Sequence, residues 1–362
     1  MTNCSLSHLK IIDLSTVLAG PSVGSFFAEL GAQVTKIEHP THKDVTRSWK
    51  LPTEDEDAEV SAYFSSVNYK KQFRFLDLKQ RYDRQAFFEM LKDADVLLMN
   101  FKTSSQDKLK ITDEILWQVN PALLIAKISG YGKSSSRVAY DLILQADTGF
   151  MSMNGTSESG PVKMPVALID VMAAHQLKEG ILLALLEQSR QDSAQGRVIH
   201  VSLYEAAISA LANQASNYLM EQHIPQRQGS LHPNIAPYGE IFITKDQQKI
   251  TFAIGSDLHF KKLVTYLNLP LLAEDLRFVH GQNRVINRSD LEKILQGKIK
   301  NIDTEVILKD MQSAAVPCAK IKNLDEVFRC TSAKNMIREE KIDHKLTKRV
   351  SQIAFQIESR EP

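Results

Sequence analysis

The first 38 residues of the chain alternate between apolar runs and a helical pattern, and this alternation constrains the fold class most strongly. Residues Leu9 to Leu14 form a short apolar run that predicts a strand. A helical pattern from Ser22 to Leu30 follows the breaker Ala19-Gly20-Pro21, and strand character returns from Ala32 to Glu38. Strand, helix and strand within about 30 residues predict a βαβ unit with parallel strands and a right-handed connection.

The same alternation continues further along the chain. The segments that predict it are, in order, Phe73 to Leu78, Arg81 to Leu91, Val96 to Asn100, Ile111 to Gln118 and Leu123 to Ser129. The predicted fold class is therefore α/β, with an open parallel Rossmann-like sheet in a large domain. Ligands bind such sheets beyond the carboxyl ends of the strands. The spacing of the early glycines does not give the GxGxxG dinucleotide motif, which argues against a nicotinamide cofactor.

The second half of the chain has a different character. Residues Pro225 to Ser230 form a linker by composition, and two strand patterns between Tyr238 and Ile254 surround a hairpin turn at Lys245 to Gln248. Helical patterns follow. We expect a large α/β domain over residues 1–224, a linker and smaller α+β domain over residues 225–330, and a C-terminal segment over residues 331–362.

Composition and charge exclude several classes of function. The chain carries 44 Lys plus Arg against 43 Asp plus Glu, a balance that argues against a nucleic-acid partner or an anionic membrane surface. No apolar run approaches the ~18 residues of a membrane helix, and the N-terminus lacks a signal pattern. The three cysteines, Cys4, Cys318 and Cys330, lack metal-ligand spacing. We therefore expect a cytoplasmic protein with no metal site.

Asp170 is the residue whose position is most informative about chemistry. It follows the apolar run Val166 to Ile169 and precedes the helical segment Val171 to Gln188. A carboxylate at the mouth of an apolar element is a candidate nucleophile. Asp is also a preferred N-cap residue, so helix capping is the favoured interpretation of the isolated residue.

Motifs in a fixed order along roughly residues 8 to 330 change that interpretation. They are LKIIDLSTVLAGP at Leu9 to Pro21, LGAQVTKIEHP at Leu30 to Pro40, Asn68 with Lys71, Ile128 to Gly132, Tyr140-Asp141, Gln145 to Gly149, Val201 to Glu205, His232-Pro233 with Pro237-Tyr238-Gly239, and Asp275 to Phe278. Together they resemble the class III CoA-transferases, the superfamily of L-carnitine CoA-transferase, formyl-CoA transferase and 2-methylacyl-CoA racemase.

The resemblance implies an activity. An enzyme of this kind moves CoA from an acyl-CoA thioester to a carboxylic acid acceptor, and the aspartate at the position of Asp170 forms the covalent intermediates. Acyl-CoA and CoA are then substrates, and no cofactor is bound permanently. The resemblance also implies a homodimer of two interlocked chains, in which the C-terminal segment returns to the large domain. This chain lacks the Leu-Gly-His-type tail of that family, so we expect either a shortened C-terminal docking or a less enclosed substrate side.

Tyr140 distinguishes the two chemistries of the resembled superfamily. Racemases carry a histidine at this position, which acts as a base at the α-carbon. A phenol has a pKa of about 10 and is a poor base near neutral pH, but it donates hydrogen bonds well. Tyr140 therefore favours transfer, and a role in packing alone is the other interpretation. A racemase, and a non-catalytic acyl-CoA-binding protein, remain as alternatives. His175 is unsuited to replace the base, because five residues do not place two side chains on one helical face.

The residues expected to bind CoA lie near predicted strand ends. The cations are Lys36, His39, Arg47, Lys71 and Lys102, for which a solvated basic surface is the alternative. The resemblance adds Asn100 and Phe101 near the adenine, with core packing as the alternative for Phe101. It also adds the thioester loop at Val17, Leu18 and Ala19, and Gly255 near the acyl group.

Overall fold

The computed structural model describes residues 6–191 and 194–358, so Cys4 lies outside the described residues. Its strands are β1 Lys10–Asp13, β2 Gln33–Glu38, β3 Lys71–Phe75, β4 Val96–Met99, β5 Leu124–Ser129, β6 Arg197–Ser202, β7 Tyr238–Ile243, β8 Lys249–Ala253, β9 Cys318–Lys320, β10 Ile337–Ile342 and β11 Lys345–Val350.

Helices connect these strands. They are α1 Ala19–Glu29, α2 Ala62–Ser66, α3 Arg81–Leu91, α4 Thr103–Leu109, α5 Asp113–Val119, α6 Asp141–Asp147, α7 Phe150–Met153, α8 Leu168–Gln188, α9 Leu203–Ser209, α10 Ala212–Glu221, α11 Asp257–Tyr266, α12 Gly281–Ile286, α13 Arg288–Ile299, α14 Thr304–Ser313, α15 Leu324–Arg329 and α16 Thr331–Lys334. Short 3₁₀ turns lie at Val45–Ser48 and Pro270–Ala273.

The α/β fold with a parallel sheet is confirmed. Six strands pair in the order β3-β2-β1-β4-β5-β6, and every pairing is parallel. This is the order of doubly wound nucleotide-binding sheets, in which the chain direction across the sheet reverses between β1 and β4. The carboxyl ends of β1 and β4 therefore border the crevice where a ligand is expected.

Alternation along the strands places two apolar layers on the sheet. Side chains at even spacing point to one face, so Ile11 and Leu98 join the core beneath α1 and α8. Ile12 and Leu97 point the other way and join the core beneath α3 and α5. Because both faces are covered, the strands read as continuous apolar runs in the sequence.

Contacts divide the chain into two compact units. The first draws on Met1–Phe150, Lys163–Ser216 and Asn335–Pro362, and the second on Met151–Val162 and Asn217–Lys334. The second unit has its own antiparallel sheet, β7-β8-β9, whose apolar face packs against α11, α13 and α14. The predicted hairpin turn joins β7 to β8, where the Thr244 amide donates to the Gln248 carbonyl at 3.0 Å.

Several elements differ from the sequence expectation. The helical pattern from residue 203 to 221 breaks between α9 and α10, where Ala212 adopts a φ of +48°. The charged stretch near residues 339–349 forms the hairpin β10–β11, and Arg349 from this hairpin pairs with Glu29 of α1 at 2.7 Å. No helix in residues 6–191 and 194–358 is both long and apolar enough to span a membrane.

Candidate functional site

A cavity of about 530 Å³ opens at the carboxyl ends of β1, β4 and β5. Thr16 and Val17 from the loop after β1 line it, together with Asn100 and Phe101 after β4. Tyr140 lines it as well. The cavity therefore lies at the reversal point of the sheet and combines five residues from distant parts of the sequence, of which Val17, Asn100, Phe101 and Tyr140 are predicted site residues.

The loop after β1 has an unusual backbone. Val17 adopts a φ of +73°, a left-handed conformation that costs a β-branched residue about 1–3 kcal/mol and is found mainly at functional sites. Its amide donates to the Asp44 carboxylate at 3.2 Å. Leu18 then caps α1 without a side-chain bond, and Ala19 is the first residue of that helix. Of the three predicted loop residues, Val17 lines the cavity.

Asp170 lies in the first turn of α8 with its side chain almost buried. Ile169, Ala173, Leu177 and Ile181 repeat every four residues and pack this helix on the sheet, which places Asp170 at the border of the buried face. The residue is 8% exposed. Its carboxylate accepts no hydrogen bond from any residue of the described chain. It is not among the residues that line the cavity.

The prediction that Asp170 caps α8 is wrong, because the N-cap residue of this helix is Ala167. A different carboxylate accepts hydrogen bonds from amides in the first turn of the helix. Asp141 accepts hydrogen bonds from the Ile169 amide at 2.8 Å and from the Asp170 amide at 3.4 Å. Burial, and then the negative charge of Asp141, raise the pKa of Asp170 to about 7. Near neutral pH the group therefore exists in both forms.

Tyr140 is held at the start of α6, directly before Asp141. Gly130 permits this arrangement, since a Cβ at Gly130 would lie 2.2 Å from the Cβ of Ala139. The Tyr140 ring is 52% exposed, and among the described residues its hydroxyl has no hydrogen-bond partner. Its phenol is therefore available to a ligand.

Tyr63 on α2 is a neighbour of Asp170 that the sequence patterns did not indicate. Burial raises the pKa of Tyr63 to about 12, and the charges of Asp170, Asp141 and Asp44 add to that shift. Its phenol therefore remains protonated and can donate. Tyr63 also packs edge-on against Trp49, with ring centres 5.1 Å apart. The short helix α2 carries no periodic signal, which is why the sequence left it unassigned.

Four cations line the cavity: Lys102, Lys127, Lys133 and Arg137. Only Lys102 was predicted from the sequence. Three of the four already have partners, since Lys102 donates to the Ser136 carbonyl, Lys127 pairs with Asp113 and Arg137 pairs with Asp147. Within the described chain, the ammonium of Lys133 has no hydrogen-bond or ion-pair partner. Lys127 and Lys133 flank the Ile128–Gly132 motif. Their closeness to this motif in the sequence is the signal that could have identified them as cavity-lining residues.

Three predicted CoA-binding cations are buried in ion pairs of the large unit. Lys36 pairs with Asp44 at 3.2 Å, and Lys71 pairs with Asp13 at 2.8 Å. Arg47 forms two bonds to one carboxylate, that of Glu38, at 2.7 and 2.9 Å. The solvated-surface alternative is wrong for all three, because Lys36 is 0%, Arg47 6% and Lys71 7% exposed. Their charges are also paired with internal carboxylates, and a role for them in binding a CoA phosphate stays a prediction.

The remaining residues considered in the sequence analysis lie on different elements. His39 follows β2, where its Nδ1 accepts from the amides of Thr41 and His42. Gly255 lies between β8 and α11 in the second unit, with open space where a Cβ would stand. His175 is exposed on α8, whereas Asp170 is buried. Phe101 both packs on the sheet and lines the cavity, so its two interpretations are compatible.

These groups suit acyl-transfer chemistry. A nearly buried carboxylate without a partner is a nucleophile that water solvates poorly, and protonated phenols can donate to an oxyanion. A cavity lined by cations and an aromatic ring suits an anionic ligand that carries a nucleobase.

Comparison with known proteins agrees with this chemistry. The family model described as CoA-transferase family III matches residues 6–361. Succinate–glutarate CoA-transferase of Agrobacterium fabrum is 33% identical over 329 residues, which are 89% of this chain and 81% of that protein. Succinyl-CoA:mesaconate CoA-transferase of Haloarcula hispanica is 31% identical over 332 residues, which are 90% of this chain and 82% of that protein.

A solved structure is similar along nearly the whole chain. The crystal structure of a CaiB/BaiF family protein from Brucella suis superposes with a TM-score of 0.82 at 32% sequence identity. The match covers 98% of this chain and 93% of that one. Fold and sequence similarity therefore extend over the same residues.

Proposed function

The chain belongs to CoA-transferase family III and is a CoA-transferase, and from this premise we propose that Asp170 carries the acyl group and then CoA between two acids. The observation that supports this role is the nearly buried carboxylate of Asp170, which has no hydrogen-bond partner in the described chain and a pKa of about 7. A structural aspartate at this burial would be paired, as Asp13 and Asp44 are. Leaving it unpaired is costly and suits a group that must react.

The proposed reaction regenerates the Asp170 carboxylate at the end of each turnover. An Asp170 oxygen attacks the thioester carbonyl and expels CoA as a thiolate, which leaves a mixed anhydride. The thiolate attacks the aspartyl carbonyl, releases the donor acid and forms an aspartyl-CoA thioester. The acceptor carboxylate then expels CoA again and forms a second anhydride. Attack of the thiolate on the acyl carbonyl yields the new acyl-CoA and free Asp170.

Two phenols, those of Tyr63 and Tyr140, assist the proposed steps. Each attack creates a negative oxygen, and a positioned donor stabilises such an oxygen by hydrogen bonding. The charge of Asp170 acts on Tyr63, whose pKa is raised to about 12, and Tyr140 directly precedes Asp141 and lines the cavity. We assign both as donors to the oxyanion or to the acceptor acid. A hydrogen-bond donor at these positions, in place of a histidine base, favours transfer over exchange of an α-proton.

The decisive experiment is to trap the intermediate. Wild-type protein mixed with an acyl-CoA and no acceptor should gain the mass of CoA without water, and digestion should place that mass on the peptide containing Asp170. Hydroxylamine should remove it and leave a hydroxamate at Asp170. A protein that binds acyl-CoA but never acquires this mass would be a binder rather than a transferase.

The chemical class of the acid that accepts CoA can be tested with a panel of acids. The acids named for the two relatives are succinate, glutarate and mesaconate, which are all dicarboxylic acids. We therefore propose a small dicarboxylic acid for this chain. Transfer from succinyl-CoA to dicarboxylic, monocarboxylic and betaine acids of equal length, compared by kcat/KM, measures that preference. Equal rates across the three classes would contradict it.

We propose that CoA occupies the cavity, with its phosphates on the cationic side. Lys133 is the cation of this cavity that has no partner among the described residues, so it is free to bind a phosphate. Lys133→Met should weaken CoA binding about 10- to 150-fold, because a charge-assisted bond contributes about 1.5–3 kcal/mol. Exposure of Lys133 favours the lower end of that range. Calorimetry with CoA and dephospho-CoA measures the loss.

The two ligands identify the phosphate that Lys133 contacts. A larger loss for CoA indicates the 3′-phosphate, and equal losses indicate the pyrophosphate. Lys92→Met is the matched control, since Lys92 is exposed, pairs with Glu89 and does not line the cavity. Unchanged affinity of Lys133→Met for both ligands would contradict the proposal that the CoA phosphates bind on this side of the cavity.

We also propose the interlocked homodimer that the family resemblance implies. The chain leaves the first unit near residue 216 and returns near residue 335, as a threaded ring requires. α8 exposes Leu182, Leu183 and Leu186 by 43%, 58% and 49%, an apolar face that a second copy would cover. Threaded arrangements are rare, so the proposal needs a direct test.

Subunit exchange provides that test. Two differently tagged samples, purified separately and mixed under native conditions, should form no mixed dimers over days, because interlocked rings separate only by unfolding. Partial unfolding and refolding of the mixture should then produce them. Rapid exchange without denaturant, or a monomer at micromolar concentration, would contradict interlocking.

A further inference from the structure

Side chains hold nearly every polar backbone group at the start of the loop after β1. Asp13 accepts hydrogen bonds from the amide and hydroxyl of Ser15. Asn100 binds both the amide and the carbonyl of Thr16, at 3.3 and 3.1 Å. Asp44 accepts from the Val17 amide at 3.2 Å. Ordinary loops leave most of these groups to water, so the arrangement is specific.

Two buried ammonium groups hold the ends of the same loop. Lys36 donates to the Ser15 carbonyl at 2.6 Å and pairs with Asp44, and Lys71 donates to the Pro21 carbonyl at 2.7 Å and pairs with Asp13. Lys36 therefore joins a loop carbonyl to a carboxylate, and Lys71 joins a carbonyl in the first turn of α1 to a carboxylate. We call the five residues that hold the loop, Asp13, Lys36, Asp44, Lys71 and Asn100, the loop clamp.

The surrounding helix is shaped to admit this clamp. A Cβ at Gly24 of α1 would lie 3.1 Å from both the Asp13 carboxylate and the Lys71 side chain. The Lys71 ammonium also donates to the Asn68 side chain at 3.0 Å, so all three of its protons have acceptors. Burial lowers the pKa of Lys71 to about 8, although Asp13 opposes that shift.

We propose that Lys36 and Lys71 are positioning residues, which fix the left-handed backbone at Val17 and so the wall that the loop presents to the cavity. Thr16 and Val17 line the cavity, whereas the two ammonium groups are fully buried beneath the loop. A backbone held in a sparsely populated conformation persists only where its surroundings determine it. The clamp supplies those surroundings, and it rests on the proposed function only in taking the cavity as the acyl-CoA site.

The test uses a charge-neutral double variant, Asp13→Asn with Lys71→Met, which leaves no unpaired buried charge. Hydrogen exchange of the Ser15, Thr16 and Val17 amides should become at least about tenfold faster, while amides in α3 keep their rates. Formation of the CoA adduct should slow about 10- to 100-fold, because small misplacement of a reacting group has effects of this size. Affinities for CoA and dephospho-CoA should both stay within about twofold, since no phosphate contact is lost.

Lys36→Met is the second variant, in case the first does not fold, and it should show the same pattern. Lys133→Met is the contrast, because it should lower CoA affinity and leave exchange at residues 15–17 unchanged. A loss of affinity in the clamp variants that is larger for CoA than for dephospho-CoA would place Lys71 on the 3′-phosphate and overturn the proposal. Unchanged exchange at residues 15–17 would overturn it as well. The exchange measurement needs no transferase activity, so it separates failure of the clamp from failure of the proposed function.

Discussion

Asp170→Ala should abolish CoA transfer while CoA still binds. Loss of a covalent nucleophile typically lowers turnover by at least about 10⁴-fold, because the remaining site offers binding and orientation but no intermediate. CoA affinity should change little, since Asp170 is not among the residues that line the cavity. A discontinuous assay measures turnover, intact mass after incubation with acyl-CoA measures adduct formation, and calorimetry measures CoA affinity.

Asp170→Asn is the matched variant, because it keeps the shape of the side chain and removes the negative charge. It should be as inactive as Asp170→Ala, and neither protein should acquire the mass of CoA. Turnover above about a tenth of the wild-type rate in Asp170→Ala would remove the assignment. Loss of CoA binding together with activity would instead indicate a structural role.

The pH dependence of the wild-type protein tests the same carboxylate. Only the ionised form attacks, and the pKa of Asp170 is raised to about 7 by burial and by Asp141. Adduct formation should therefore rise with pH up to about 7 and level off above it. Asp141→Asn removes the neighbouring charge but keeps an oxygen that can accept from the Ile169 amide. It should move the midpoint to lower pH, although burial retains part of the shift.

The parallel sheet could be predicted because the residue patterns that specify its strands and helices lie within short segments of the sequence. Strands buried on both faces read as apolar runs, and helices that cover them show apolar residues every three or four positions. The hairpin β10–β11 was missed because it follows neither pattern. The density of charged residues in its sequence predicts a solvent-exposed surface, but Arg338 and Arg349 both form ion pairs with Glu29 on α1. A partner about 300 positions away leaves no local signal.

Chemical type was easier to predict from sequence than the direction of a side chain. Lys36, Arg47 and Lys71 are cations near strand ends, where a phosphate site needs them, but each carboxylate that neutralises them comes from another segment. The resemblance pointed to Asp170, and its burial and missing partner emerge only from packing. Tyr63 comes near Asp170 by folding alone, so no spacing along the chain could have indicated it.

Tyr140→Phe should lower turnover about 10²-fold, the typical effect of removing one donor to an oxyanion. The hydroxyl has no protein partner among the described residues and the ring is 52% exposed, so its loss should leave the free energy of unfolding nearly unchanged. Rates of adduct formation under single-turnover conditions, with urea unfolding in parallel, separate chemistry from stability.

Two further variants sharpen the assignment of Tyr140. Tyr82→Phe is the matched control, since Tyr82 is 85% exposed on α3 and does not line the cavity, and its turnover should match wild type. Tyr140→His introduces an imidazole whose pKa of about 6.5 suits a base, so solvent deuterium should appear at C2 of a branched acyl-CoA. Wild-type turnover in Tyr140→Phe would leave the ring with packing alone. Deuterium uptake at C2 by the wild-type protein would contradict the prediction that this chain transfers CoA without exchanging the α-proton. That prediction depends on a phenol being too weak a base to remove the proton.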